Sequence, residues 1–65
     1  MKYSELKKLL KKYGCYKYRE GGPHEHWYSP ITDLIFPVGR HNTEDVKIKT
    51  LNSILKDAGI KGGKK

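Results

Sequence analysis

Apolar positions recur along the chain at two different spacings, and the changes of spacing divide it into five elements. Leu6, Leu9, Leu10 and Tyr13 occupy one face of a helix, at intervals of three and four residues. Lys7, Lys8, Lys11 and Lys12 fall between them and are expected to cover the solvent side. Ser4 offers a hydroxyl to cap the start, and Gly14 supplies the left-handed residue that ends such a helix. The period then drops to two. Tyr16 and Tyr18 alternate with Lys17 and Arg19, which predicts a half-buried strand over residues 15–20. Gly21, Gly22 and Pro23 interrupt it, and alternation resumes from His24 to Ser29. That second strand sets His24, His26 and Tyr28 on one face and Glu25, Trp27 and Ser29 on the other.

Residues 30–33 read as a turn and Leu34–Val38 as a short apolar strand. Pro37 has no amide donor, so this strand belongs at an edge or a loop exit. Residues 39–45 are polar and loop-like. Leu51, Ile54, Leu55 and Ala58 form a second helical stripe that closes on Gly59-Ile60 in the manner of a Schellman ending. Thr43, Lys47 and Ile48 compete to mark its start. The order helix-strand-strand-strand-helix, with no internal repeat, predicts an α+β domain: a three-stranded antiparallel meander with both helices on one face. Residues 1–60 make up this domain, and residues 61–65 are expected to be a disordered basic tail.

Length limits what such a domain can do. A chain of 65 residues buries only about 60% of its unfolded surface, so a deep cofactor cavity is not expected and a site should lie on an open surface. Charge narrows the partner. Fourteen Lys and Arg against seven Asp and Glu give a net charge of +7, which favours a polyanion and nucleic acid before others. Solubility alone, or an acidic protein partner, would account for the same excess. Cys15 has no partner for an internal disulfide, and neither a signal peptide nor an 18-residue apolar run is present. The simplest expectation is a soluble cytoplasmic protein with no membrane segment.

The chemistry centres on the segment Glu20-Gly21-Gly22-Pro23-His24, followed by Trp27-Tyr28 and Pro30. Upstream stands Gly14-Cys15; downstream come Phe36-Pro37, His41 and the run from Thr50 to Ile60, TLNSILKDAGI. In this order and over nearly the whole chain, these elements resemble the HicA-type toxins, small ribonucleases of bacterial and archaeal toxin–antitoxin pairs. The resemblance implies a double-stranded-RNA-binding-like fold, metal-independent cleavage of mRNA by His24, no cofactor, and silencing by a HicB-like antitoxin. Three positions depart from the family pattern. Pro23 stands where Ser or Gly is frequent, the loop around His41 is longer, and Lys49 replaces a glycine before Thr50-Leu51.

The residue types suit that chemistry. RNA carries its own nucleophile in the 2′-hydroxyl, so an enzyme needs a proton acceptor or donor and positive charge beside the phosphate. Histidine ionises near neutral pH, and general acid–base help is worth roughly 100- to 10,000-fold. Lys17, Arg19, Lys47 and Lys49 are candidates for holding phosphates, and Tyr16, Tyr18 or Tyr28 for stacking bases. Gly21 and Gly22 would let the RNA backbone approach His24, which His26 could assist.

Each residue also has a plainer reading. Outside the family pattern His24 is an ordinary residue at a strand start, His26 an exposed neighbour and His41 a loop residue. Trp27 belongs to the core, the tyrosines pack on the sheet, and the lysines of the first helix form a solvated face. His24, His26 and His41 could instead supply nitrogens to a zinc ion, although their spacing is loose. A thiol-protease pairing of Cys15 with a histidine has no supporting motif. The main competitor is a non-catalytic RNA-binding module of double-stranded-RNA-binding-like fold, which would use basic residues at the start of the last helix.

Overall fold

A computed structural model describes residues 1–60; the expected basic tail lies outside the described residues. Its elements follow the expected order: α1 (Tyr3–Lys12), β1 (Tyr16–Gly21), β2 (His24–Ser29), β3 (Leu34–Gly39) and α2 (Ile48–Ala58). The sheet is an antiparallel meander in the order β1-β2-β3. One core cluster joins Leu6 and Leu10 of α1, Trp27, Phe36 and Val38 of the sheet, and Ile54, Ala58 and Ile60 at the end of α2. Both helices therefore cover the same face. The α+β class is as the sequence predicts, while the double-stranded-RNA-binding-like label rests on the family resemblance alone.

The start of α1 departs from expectation for a clear reason. Ser4 lies inside the helix, and Lys2 is the N-cap residue. The helix starts ahead of Ser4, so the Leu6 amide that a Ser4 hydroxyl would cap already donates to the Lys2 carbonyl at 3.0 Å, and the first amides find partners in the loop after β3. Tyr3 N donates to the Glu44 carbonyl at 3.0 Å and Ser4 N to the Asn42 carbonyl at 3.1 Å. Glu5 accepts the Lys2 amide at 2.8 Å. At the other end, Gly14 has φ +90°, and the bonds Cys15 N to Leu10 O (2.9 Å) and Gly14 N to Lys11 O (3.0 Å) complete a Schellman motif. Tyr13 sits beyond the last turn and stays exposed, so only part of the expected stripe is buried.

Lys7 does not join the solvent face. It is only 9% exposed, and its ammonium lies 3.2 Å from Glu25 Oε1 and 2.6 Å from Asn42 Oδ1. Glu25 also accepts the Trp27 indole N–H at 3.0 Å. Burial alone would raise the Glu25 pKa, but the bonds from Trp27 and Lys7 outweigh it and hold the carboxyl below its ordinary range. This network pins α1 to β2 and to the loop at Asn42.

The strand β1 is not half-buried. Every residue from Tyr16 to Glu20 is exposed, because the core cluster draws its strand residues from β2 and β3 and takes none from β1. A bulge at Tyr18 shifts the register between Lys17↔Trp27 and Arg19↔His26, which breaks the simple alternation read from the sequence. Behind the sheet, α2 ends on Gly59 at φ +78°, and the buried Ser29 hydroxyl donates to the Ala58 carbonyl at 2.6 Å. That bond ties the last turn of α2 to the end of β2.

Candidate functional site

The hairpin between β1 and β2 has two loop residues, Gly22 and Pro23. Gly22 has φ +60°, the left-handed conformation that primed hairpin turns need at their first central position. A Cβ there would meet nothing within 4 Å, so the turn is bare on its outer side. Gly21 is different. A Cβ at Gly21 would come within 2.8 Å of His26 Cε1, so the missing side chain makes room for the His26 ring rather than for a ligand.

His24 opens β2 immediately after this turn and is exposed. Its cross-strand partners are Gly21 on β1 and Gly39 on β3. Residues directly opposite each other share a face, so the imidazole stands between two positions that carry no side chain. At Gly39 the vacant space is taken by the ring of Tyr3, whose Cζ would lie 2.9 Å from an added Cβ. His26 and Tyr28 follow His24 on the same face, with Trp27 and Ser29 buried against the helices, as the alternation predicts. His26 Nδ1 is buried without a hydrogen-bond partner.

The sequence reading did not single out Arg40. It follows Gly39 in the chain, and its guanidinium reaches back to the hairpin. Nε donates to the Gly22 carbonyl at 2.9 Å, and Nη2 donates to Glu20 Oε1 at 2.6 Å. The second carboxylate oxygen of Glu20 accepts from Lys17 Nζ at 2.8 Å. Held by Lys17 and Arg40 together, the Glu20 carboxyl is lowered to about 2, and the Lys17 ammonium is raised in turn. This clip joins β1, the turn and the end of β3, and it anchors a cation on the carbonyl of Gly22, two residues before His24 in the chain. Two of the five guanidinium donors are used in it. A single arginine in a polar loop has no periodicity to announce it, which is why sequence patterns pass over it.

The other expected phosphate ligands are dispersed. Lys17 lies across from Trp27 and is engaged by Glu20, and Arg19 pairs in register with His26 on the open face. Lys47 and Lys49 sit at the start of α2, where Lys49 lines a shallow groove with Phe36, Pro37 and Ser53. His41 is exposed in the loop beyond Arg40. Tyr28 pairs with Tyr16 at 5.3 Å between ring centroids, and its hydroxyl donates to Asp33 at 2.6 Å. That bond, with burial, raises the Tyr28 pKa. Cys15 is buried, and no group of three or more His, Cys, Asp or Glu among the described residues is arranged to hold a metal ion. No helix among them is long and apolar enough to cross a membrane.

The family model for the HicA toxin of bacterial toxin–antitoxin systems matches residues 3–60. This chain belongs to the HicA toxin family. The match runs from the first residue of α1 to Ile60 beyond α2, so every element described above lies within it. As a HicA toxin it is the toxic member of a toxin–antitoxin pairing. No curated protein and no solved structure matches the chain significantly.

Proposed function

We propose that this HicA toxin is a metal-independent endoribonuclease that cleaves mRNA in the cytoplasm, with His24 as its general acid or base. The observation that carries this reading is the exposed imidazole between two glycines, next to a hairpin clipped by Arg40. A ribose-phosphate laid against the bare outer side of Gly22 would reach the exposed His24. The substrate 2′-hydroxyl would attack its neighbouring phosphorus while His24 takes or gives the proton. Developing negative charge on the phosphate calls for a fixed cation, and Arg40, held on the Gly22 carbonyl at the adjoining turn, is our candidate for it. Arg19, Gly21, Gly22, His26, Tyr28, Lys17, Lys47 and Lys49 would hold the rest of the strand, with Lys17 weakened in that role by its bond to Glu20.

A HicB-like antitoxin would silence the enzyme by covering His24 and neutralising the basic surface. The reading is tested by expressing the wild-type chain and His24→Ala in growing cells and mapping transcript ends. Growth arrest with new 5′ ends for the wild type alone is the expected result. Arrest of equal depth with the His24→Ala protein would remove the histidine from the mechanism. His24 is exposed and makes no core contact, so its loss should leave the fold intact.

A further inference from the structure

The sheet face turned away from the helices carries no carboxylate at its paired positions. From the register it presents Tyr16, Arg19 and Gly21 on β1, His24, His26 and Tyr28 on β2, and Ile35, Pro37 and Gly39 on β3. Glu20 and Glu25 are paired across the opposite face. Asp33 reaches this surface at one end, where it accepts the Tyr28 hydroxyl. Tyr16 is 51% exposed and Ile35 49%, so apolar and aromatic area is open to solvent with no element of the described chain covering it. Contiguous exposed apolar area is the kind of surface that binding partners use.

We infer that this open face is a track for single-stranded RNA, with the Tyr16–Tyr28 pair as a base-stacking platform upstream or downstream of the cut. The inference rests on the ribonuclease reading for the direction of the strand towards His24, and it adds what the enzyme grips and where. Three observations favour RNA over a protein strand. The face is free of acidic side chains at its paired positions and bears Arg19 in a chain of net charge +7, which suits a polyanion. The two rings lie 5.3 Å apart and tilted by 46°, with the Tyr28 hydroxyl bonded to Asp33, which fixes one ring of the pair as a support for the other. The platform is also continuous with the candidate site, because Tyr28, His26 and His24 alternate along one side of β2.

The dimensions define the footprint. Four residues of strand separate Tyr28 from His24, or about 13 Å at the strand rise of roughly 3.3 Å. A fully stacked strand advances about 3.4 Å per nucleotide, so the stacked base lies no more than about four nucleotides from the scissile phosphate and fewer if the strand is stretched. A base on Tyr16 must be unpaired. The track therefore selects single-stranded segments and discriminates against duplex, unlike a module that grips duplex backbones through the start of its last helix.

The test uses the full chain in the His24→Ala background, so that binding is read without cleavage. Fluorescence anisotropy is measured with a labelled single-stranded RNA of eight nucleotides and with the duplex of the same sequence. The single strand is expected to bind more tightly. Tyr16→Leu, which keeps an apolar strand residue but removes the ring, should weaken single-strand binding by roughly 5- to 150-fold, and Tyr16→Trp should restore it. Unchanged binding in a folded Tyr16→Leu protein, or tighter binding of the duplex with loss on Lys47→Ala and Lys49→Ala, would overturn the track. So would the absence of any RNA binding, which would leave the face to a protein partner. The two readings fail separately: a wild type that binds RNA through Tyr16 but never cuts it removes the ribonuclease, and one that cuts RNA with no sensitivity to Tyr16→Leu removes the track.

Discussion

Lys7 shows how far one residue can depart from what its charge predicts. Tyr3 and Leu10, four before it and three after, put it beside the apolar stripe, yet the charge of a lysine makes a solvated side chain the natural expectation. The structure instead buries it against Glu25 and Asn42, with 11% and 16% of the lysine and glutamate side chains exposed. Breaking a buried ion pair strands the remaining charge, at a cost of several kcal/mol in a dry core. The partial exposure here lowers that, so Lys7→Ala should destabilise the fold by about 2–3 kcal/mol in urea unfolding, while Lys8→Ala stays within roughly 0.5 kcal/mol. Equal effects from the two substitutions would mean that the pair contributes nothing special. The contrast with His24 is instructive. Its candidacy was legible because the residue types around it are unusual, whereas Arg40 and the Lys7–Glu25 pair depend on contacts between residues 18 to 20 apart in the chain and gave no local sign.

At the level of elements, the hairpin turn and the C-terminal ends of the helices were the most legible parts because they depend on backbone angles that few residues accept. Gly14, Gly22 and Gly59 all adopt positive φ, and each lies at a helix end or in the hairpin turn. Two of them separate backbone strain from crowding. A Cβ at Gly22 would enter open space, so Gly22→Ala should cost only the left-handed penalty, roughly 1–2 kcal/mol. A Cβ at Gly59 would also lie 2.7 Å from Ile31 Cγ2 and 2.9 Å from Thr32 Cγ2, so Gly59→Ala should cost about 1–3 kcal/mol more. Thermal unfolding of the two variants checks the order, and a Gly22→Ala protein less stable than Gly59→Ala would contradict it. What the pattern concealed was β1. Alternation of tyrosine with lysine and arginine reads as a half-buried strand, but burial also needs something to lie on top, and the core cluster takes in no residue of β1. The bulge at Tyr18 was equally invisible, since one extra residue leaves no mark on composition. The start of α1 is hidden for a related reason: carbonyls of residues 42 and 44 hold the Tyr3 and Ser4 amides, so the helix begins before Ser4 and its hydroxyl has no cap to make.

For the whole molecule, the clip of Lys17, Glu20 and Arg40 couples electrostatics to the integrity of the sheet. The Glu20 carboxyl is lowered from 4.5 to about 2 in the folded protein, so the unfolded chain binds its proton more readily. The stabilisation is therefore complete above about pH 4.5 and disappears as the pH falls towards 2; Glu25 shifts in the same direction. Because the clip is exposed, salt should screen it. The melting temperature is expected to fall between pH 5 and pH 2, and Glu20→Gln should flatten part of that fall, more at low ionic strength. A Glu20→Gln protein with the full wild-type slope would show that the clip does not contribute. The same positive charge that favours a polyanion is thus partly engaged within the molecule, and in the function proposed above His24 with Arg40 is where a phosphate would meet both a proton-transfer group and a fixed cation.

The most direct test of that claim uses purified, folded protein with chelator present and two matched oligonucleotides. One carries a single ribonucleotide in an otherwise deoxy strand, and the other is deoxy throughout. Cleavage of the first at its ribonucleotide by the wild type, none of the second, and a loss of roughly 100-fold or more in His24→Ala are the expected results. Cleavage of the all-deoxy strand, or an undiminished rate in His24→Ala, would contradict the account.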